Sequence, residues 1–329
     1  MLGDADTAMH RAKALGRAKY QVFERTMRTR MLLKLQLEND LRRAIAQGER
    51  HANLIGMISS EFPAAIWQNS SLDRLAVPTK VPGVHQELQL YYQPIVCLKT
   101  GLITGFEALA RWKHPEQGFL SPTQFIPLAE ETGLIIPLSW WVLRSACRQM
   151  RQWQIAFPAQ NSLTLSVNLS SQQFAMPGLV EQIQQILRET ALSSASLKLE
   201  MTESMVMENA DCVVDMLYQI RALGIQLALD DFGTGYSSLS YLPRFPLNTL
   251  KIDRSFVSQM DICVDSLEII RTILVLARNL GIDVTAEGVE TAEQNMQLLE
   301  MECEFGQGYY FSEPLEAKAI TQLLERQQP

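Results

Sequence analysis

From about Glu87 onward, short apolar segments alternate regularly with stretches of helical periodicity. Eight segments occur in about 240 residues, and they are QLYYQPIV, LITGFEALARW, SLTLSVNLS, SLKLEM, IQLALD, NTLKID, IDVTAE and CEFGQGYYF. Helices are predicted between them, for example over LVEQIQQILRET and over SLEIIRTILVLARNLG, which ends at Gly281. This size and alternation predict an α/β fold of the TIM (β/α)8-barrel type. An open doubly wound sheet is the structural alternative, but no GxGxxG turn opens a helix here.

The composition limits the classes of function. The 329 residues carry a formal net charge of −7, which argues against binding of a nucleic-acid polymer through a basic face. We expect no membrane segment in this chain, because no apolar run approaches the roughly 20 residues of a membrane helix. The five cysteines form no CxxC pair, and we interpret them as free thiols in a reducing cytoplasm. The four histidines lack ligand spacing, so a metal site would consist of oxygen ligands, which suit Mg²⁺, Mn²⁺ or Ca²⁺.

The chain is predicted to have four segments. Residues 1–28 are predicted to form a short helix and strand, and residues 29–48 a linker helix. Residues 49–86 are an inserted segment for which no structure is predicted, and residues 87–329 form the barrel. The linker helix is predicted from an apolar stripe with a spacing of four, formed by Leu33, Leu37, Leu41 and Ile45. Such a helix packs against the barrel or, as the alternative, pairs with a second chain.

Polar residues interrupt the predicted strands near their C-terminal ends. From the second strand to the eighth they are Glu107, Asn168, Glu200, Asp230 with Asp231, Lys251 with Asp253, Glu287 and Gln307. Each alone is interpretable as a helix N-cap, a loop residue or an ion-pair partner. In a barrel, however, these ends converge on the face where active sites are built. Carboxylates gathered there are tolerable around divalent cations, and adjacent aspartates suit two metals about 3.5–4 Å apart. The pattern predicts a metal-dependent enzyme acting on a phosphate or carbonyl.

The same segments closely resemble the EAL domain, the family of cyclic di-GMP phosphodiesterases. The signature tripeptide is Glu107-Ala108-Leu109 within GFEALARW. Around it, in the order of the family, stand YYQPIV, FIPLAEETG, VNLS, LEMTES, DDFGTGYSSL, LKIDRSFV, AEGVE and GQGYYFSEPL. The resemblance covers Glu87 to about Leu324 and implies a barrel whose first strand runs antiparallel to the others.

The resemblance implies a site for two Mg²⁺ or Mn²⁺ ions. The ligands of one ion would be Glu107, Asn168, Glu200 and Asp230. Asp230 would bridge to a second ion, which Asp231 and Glu287 help to hold. Glu287 is also similar to the catalytic-loop glutamate of the family. An activated water would attack one phosphorus of cyclic di-GMP in line, and the product would be linear pGpG.

Further roles follow from the resemblance. Lys251 is similar to the lysine that positions or deprotonates the attacking water, and Gln307 to the glutamine behind it. Glu203 resembles the residue that, with the DDFGTGYSS loop, orders the site and couples it to a homodimer formed through the barrel. The substrate-binding candidates are Gln93, Leu109, Arg111 and Asp253, the last at the end of the Lys251 strand.

Two alternatives to the phosphodiesterase remain open. One is a receptor module that binds cyclic di-GMP without hydrolysing it, and the other is an interaction scaffold. The presence of every expected ligand favours the enzyme.

The N-terminal segment ADTAMHRAKALGRAKYQVFE resembles the last helix and strand of a GGDEF (diguanylate cyclase) domain. The GGDEF motif is absent from this chain, so we expect no cyclase activity. The main departure from the EAL family is the stretch of about 38 residues that separates LRRAIAQGE from the first barrel strand.

Overall fold

The structure is a computed structural model that describes residues 25–61, 86–160, 162–207, 210–234 and 241–326. The predicted N-terminal helix and strand, which resemble the end of a GGDEF domain, therefore lie almost wholly outside the described residues. Most of the predicted inserted segment lies outside them as well.

The described residues form ten strands and eleven α-helices. The strands are β1 (Leu88–Cys97), β2 (Ile103–His114), β3 (Gly118–Leu120), β4 (Thr164–Asn168), β5 (Leu197–Thr202), β6 (Gln226–Phe232), β7 (Thr249–Ile252), β8 (Asp283–Glu287), β9 (Phe305–Gln307) and β10 (Leu315–Glu316). The helices are α1 (Arg25–Glu61), α2 (Pro122–Thr132), α3 (Ile135–Ala156), α4 (Ser171–Phe174), α5 (Leu179–Thr190), α6 (Glu203–Met207), α7 (Ala210–Ala222), α8 (Arg254–Val257), α9 (Val264–Leu280), α10 (Ala292–Glu300) and α11 (Ala317–Arg326).

Eight of the strands close into a barrel. The hydrogen-bonded order is β1-β9-β8-β7-β6-β5-β4-β2, and β2 pairs again with β1. β1 is antiparallel to both of its neighbours, whereas all other neighbouring pairs in this ring are parallel. The predicted closed barrel with an antiparallel first strand is therefore confirmed. The alternative prediction of an open doubly wound sheet is wrong.

Two short strands extend the ring and were not predicted. β3 pairs with β2, and β10 pairs with β1, both antiparallel. The predicted eighth strand CEFGQGYYF is too long, since only Phe305–Gln307 pairs in the sheet. The backbone turns away at Gly308, where a Cβ atom would lie 2.1 Å from the carbonyl oxygen of Val289. Only glycine fits so close to another backbone.

The alternation along the strands places apolar side chains outside the barrel and polar ones inside. Leu199 on β5 and Leu250 on β7 are fully buried under the surrounding helices. Their neighbours Glu200 and Lys251 point to the opposite side of the sheet, into the barrel, because successive side chains of a strand alternate. The interior is therefore polar at the carboxyl ends of the parallel strands.

Helix α1 is longer than predicted and packs on the barrel helices α2 and α3. It runs from Arg25 to Glu61, so it passes the predicted end at residue 48 and enters the segment for which no structure was predicted. Gly48 lies inside the helix and against the indole of Trp141, where a Cβ atom would be 2.7 Å from Nε1. Of the apolar stripe, Leu41 and Ile45 are buried, whereas Leu33 is 57% exposed. None of the described helices combines the length and apolar character needed to cross a bilayer.

Candidate active site

The strand-end residues predicted from the sequence come together at one end of the barrel. Strand register places Asn168 beside Glu200 and Glu287 beside Gln307, with each pair facing the same side of the sheet. Glu107 belongs to β2, next to β4 in the ring. The carboxyl ends of parallel strands meet at one rim, which brings these side chains within contact distance.

Lys251 lies at the centre of the cluster. Its Nζ atom is 2.6 Å from carboxylate oxygens of both Glu200 and Glu287, 3.3 Å from Asp230 and 3.5 Å from Glu107. The lysine is 1% exposed. Burial alone would lower the pKa of Lys251, but the four carboxylates outweigh it and raise the pKa well above the usual lysine value. Lys251 is therefore a fixed positive charge among anions.

Glu107 is held by amide donors on both of its oxygens. Asn168 Nδ2 donates to Oε1 over 2.7 Å, and Gln307 Nε2 donates to Oε2 over 2.7 Å. Burial tends to raise the pKa of Glu107, but the Lys251 ammonium and these hydrogen bonds outweigh it and lower the pKa. Gln307 Nε2 also donates to Oε1 of Gln93 over 3.0 Å. Glu107 is thus an oriented, ionised carboxylate.

Glu200 and Glu287 are less well compensated than Glu107. Burial raises the pKa of Glu200 to about 7 despite the nearby Lys251, and repulsion from Glu107 and Asp230 adds to the rise. Burial likewise raises the pKa of Glu287 well above its usual value. Glu200 Oε1 is buried without a hydrogen-bond partner in the described part of the chain. Lys251 alone does not neutralise the cluster, and a divalent cation would remove the remaining repulsion.

The adjacent aspartates turn to the same side through an unusual backbone. Asp231 has φ of +54°, in the left-handed region that aspartate tolerates better than most residues, and the pairing of β6 with β7 is irregular there. Its N–H donates to Oδ1 of Asp230 over 3.0 Å. Burial, with repulsion from Asp230 and Asp253, raises the pKa of Asp231 to about 6. Carboxylate oxygens of Asp230, Asp231 and Glu287 all lie within 4.8 Å of one another, a spacing that fits one divalent ion.

Glu203 supports this turn from a neighbouring helix, whereas Asp253 caps another helix beside it. Glu203 begins α6, is 2% exposed and accepts a hydrogen bond from the N–H of Gly233 over 3.0 Å. Asp253 caps α8 by accepting from the N–H of Ser255 over 3.0 Å. Residues 235–240 of the predicted loop lie outside the described residues. In the structure, Asp253 has a capping role next to the carboxylate cluster.

The predicted substrate-binding residues continue from Glu107 along one face of the sheet. Leu109 and Arg111 follow Glu107 at every second position of β2 and are half-buried. Burial lowers the pKa of Arg111 from its usual value. The side chain of Gln93 is buried, with its Nε2 donating to the carbonyl of Ser312 over 3.2 Å.

The sequence reasoning missed two residues that lie close to the site residues. Tyr91 lies under Arg111, whose guanidinium carbon is 5.7 Å from the ring centroid. Lys198 is 8% exposed and lies two positions before Glu200, on the same side of β5. In both cases the signal was period-two spacing from a residue already singled out.

Comparison with known proteins agrees with this geometry. The family model described as EAL domain matches residues 81–314. The chain is 37% identical over 324 residues to cyclic di-GMP phosphodiesterase NbdA of Pseudomonas aeruginosa. The alignment covers 98% of this chain and 36% of that protein. It is 38% identical over 317 residues to bifunctional diguanylate cyclase/cyclic di-GMP phosphodiesterase MucR of the same species. That alignment covers 96% of this chain and 40% of that protein. The chain thus spans about two fifths of the length of these relatives.

Solved structures give the same family. The phosphodiesterase PaMucR, in complex with c-di-GMP, is 44% identical with a TM-score of 0.69, over 71% of this chain and 94% of that chain. The EAL enzyme Bd1971, bound to cAMP and cyclic di-GMP, is 31% identical with a TM-score of 0.74, over 96% of this chain and 73% of that chain. The chain is a member of the EAL domain family.

Proposed function

We propose that this chain is a metal-dependent phosphodiesterase that hydrolyses cyclic di-GMP to linear pGpG. The observation that carries the proposal is the gathering of Glu107, Glu200, Asp230 and Glu287 around Lys251 at one barrel end. Carboxylates gathered this closely, with Glu107 and Glu200 buried, repel one another, and cations bound among them would offset that repulsion. The names of the relatives NbdA and MucR support the substrate and the reaction.

The donor set fits two divalent ions, Mg²⁺ or Mn²⁺. Glu107, Asn168, Glu200 and Asp230 would hold one, while Asp230, Asp231 and Glu287 would hold the other. When bound, such ions lower the pKa of water towards neutrality and offset the charge of a phosphodiester. Carboxylate and amide oxygens are the ligands that these ions prefer.

The remaining side chains orient the reactants. Lys251, as an ammonium, would hold a water against the reacting phosphorus by donating a hydrogen bond to it. Gln307 keeps Glu107 in place through the 2.7 Å hydrogen bond. Gln93, Leu109 and Arg111 would contact the dinucleotide beside the reacting phosphate, and Glu203 fixes the turn that presents Asp231.

Three wider features are part of the proposal. A homodimer through the barrel is supported by two exposed apolar side chains at the start of α9. They are Ile262 and Val264, which are 85% and 75% exposed. A cytoplasmic location is supported by the free thiols of Cys97, Cys147, Cys263 and Cys303. The origin of residues 1–28 in a GGDEF domain is supported by their resemblance to its last helix and strand.

The decisive experiment is an incubation of purified protein with cyclic di-GMP in Mg²⁺ or Mn²⁺, followed by chromatography. We expect pGpG to accumulate, and an excess of chelator to stop its formation. Glu107→Ala should abolish hydrolysis with an unchanged far-UV circular dichroism spectrum, whereas Glu116→Ala, an exposed glutamate on the neighbouring turn, should retain the wild-type rate. Binding of cyclic di-GMP without turnover in any metal would support the receptor instead.

A further inference from the structure

A second ring of side chains lies inside the barrel beneath the carboxylate cluster. On the five neighbouring strands from β4 to β8, the residue two positions before each site residue points into the barrel, because side chains alternate along a strand. Two positions correspond to about 7 Å along the strand. Strand register places Ser166 beside Lys198 and Ala228 beside Thr249. The buried residues of this level, which we call the inner ring, are Ser166, Lys198, Ala228, Thr249 and Thr285.

The composition of the inner ring differs from the usual interior of such a barrel. Interiors of this fold are packed mainly with bulky residues such as valine, isoleucine and leucine. Here a serine, an alanine and two threonines accompany one lysine. The apolar side chains of Ile95 and Phe305 complete the level on β1 and β9. The β4–β8 side of the interior is therefore lined by small and polar groups.

Several polar groups at this level lack a protein partner. Ser166 Oγ, Thr249 Oγ1 and Glu200 Oε1 are buried without a hydrogen-bond partner among the described residues. Lys198 makes no side-chain hydrogen bond or direct ion pair within the same part of the chain, although Glu200 and Asp283 attract its ammonium. Nearly all buried polar groups of native proteins have a partner in the protein or in ordered water. These four groups on β4, β5 and β7 therefore share a need for hydrogen bonds.

Water meets this need better than an ion does. An ammonium can only donate hydrogen bonds, an ionised carboxylate can only accept them, and hydroxyls can do both. A water molecule accepts from Lys198 and donates to Glu200, so it suits both ends. An anion here would be repelled by Glu200 and Asp230, and a cation would be repelled by Lys198 and Lys251.

We propose that the inner ring binds ordered water, and that Lys198 is a positioning residue that acts on Glu200 through this water. The water accepts a hydrogen bond from Lys198 Nζ and donates one to Glu200 Oε1, and the hydroxyls of Ser166 and Thr249 anchor it. Glu200 Oε1 is thereby held towards the interior, while Oε2, which lies 2.6 Å from Lys251 Nζ, faces the cluster. This inference rests on the proposed function, because Glu200 is one of the proposed metal ligands.

The test measures the affinity for Mn²⁺ by electron paramagnetic resonance of the free ion, which requires no turnover. Lys198→Met removes the ammonium, and Thr249→Val removes one anchoring hydroxyl at nearly constant shape. The matched controls are Lys99→Met, which removes an exposed lysine, and Thr190→Val, which removes a buried hydroxyl from helix α5. Asp283→Asn tests the other carboxylate that attracts Lys198. Thermal unfolding in chelator checks that all variants are folded.

We expect Lys198→Met to weaken Mn²⁺ binding at least about tenfold, the usual loss when the hydrogen-bond partner of a metal ligand is removed. Thr249→Val should change the affinity in the same direction by a smaller factor. The two controls and Asp283→Asn should match wild type. A lysine that acted only as a nearby positive charge would give the opposite sign, because its removal would tighten the binding of a cation.

The water itself is tested by a crystal structure of the metal-free wild type at atomic resolution. We expect ordered water within hydrogen-bond distance of both Lys198 Nζ and Glu200 Oε1. Crystals soaked in bromide or rubidium salts should show no ion at this position. An ion there, or a direct contact of Lys198 with Asp283 or Glu200, would refute the inference.

The outcomes separate this inference from the proposed function. If wild type cleaves cyclic di-GMP and Lys198→Met binds Mn²⁺ as tightly as wild type or more tightly, the positioning role is wrong and the phosphodiesterase stands. If Mn²⁺ binding depends on Lys198 as expected but wild type does not cleave cyclic di-GMP, the inference stands and the function is wrong. If wild type binds no Mn²⁺, both the proposed metal site and the positioning role are wrong.

Discussion

Replacement of Lys251 by methionine should destabilise the metal-free protein strongly. The ammonium is 1% exposed and is the shared partner of four carboxylates, two of them at 2.6 Å. Methionine has a similar length but no charge, so it would leave these carboxylates buried and repelling one another. Breaking a buried ion pair from one side costs about 3–5 kcal/mol.

The loss should appear as a large fall in the melting temperature. One kcal/mol corresponds to about 2–4 °C in a domain of roughly this size, so we expect a decrease of about 6–20 °C in excess chelator. Mg²⁺ or Mn²⁺ should then stabilise Lys251→Met more than it stabilises wild type, because a divalent cation replaces the missing positive charge. Differential scanning calorimetry with and without metal measures both effects.

The matched control is Lys99→Met, which removes an exposed lysine and should change the free energy of unfolding by no more than about 0.5 kcal/mol. The reasoning would be refuted by a Lys251→Met protein that melts within about 2 °C of wild type in chelator. It would equally be refuted by a metal-induced shift no larger than that of wild type. Either result would mean that the carboxylates do not depend on Lys251 for compensation.

Three further substitutions test the supports of the site and of the fold. Glu203→Ala should lower kcat for cyclic di-GMP by at least about tenfold, because the turn loses a buried acceptor, and Glu203→Gln should recover part of it in a steady-state assay. Gly48→Val should destabilise the packing of α1 by about 1–3 kcal/mol in urea unfolding, whereas Ala46→Val on the exposed side of the same helix should cost less than about 1 kcal/mol. Gly308→Ala should both destabilise the barrel and reduce hydrolysis, since its Cβ would overlap the carbonyl of Val289; wild-type unfolding and kinetics would contradict that contact.

The sequence was a good guide where a residue's role follows from its place on a regular strand. Apolar alternation located all eight barrel strands, and their polar ends located Glu107, Glu200 and Lys251 at one rim. The predictions failed where the backbone depends on a distant neighbour. The eighth strand is short because Gly308 meets the backbone near Val289, and helix α1, which packs on α2 and α3, continues past residue 48 to Glu61.

By itself, the sequence determined the fold class and the chemical types of side chain at the barrel mouth, because both follow from local periodicity and from which residues end each strand. Only the tertiary structure decided which partners those side chains have. Closure of the ring brings one ammonium against four carboxylates from four other strands. It also joins Arg111, Tyr91 and Phe119 into one surface through the pairing of β1, β2 and β3. Charge compensation and surface shape depend on distances between residues far apart in the chain, and these are set only when the sheet closes.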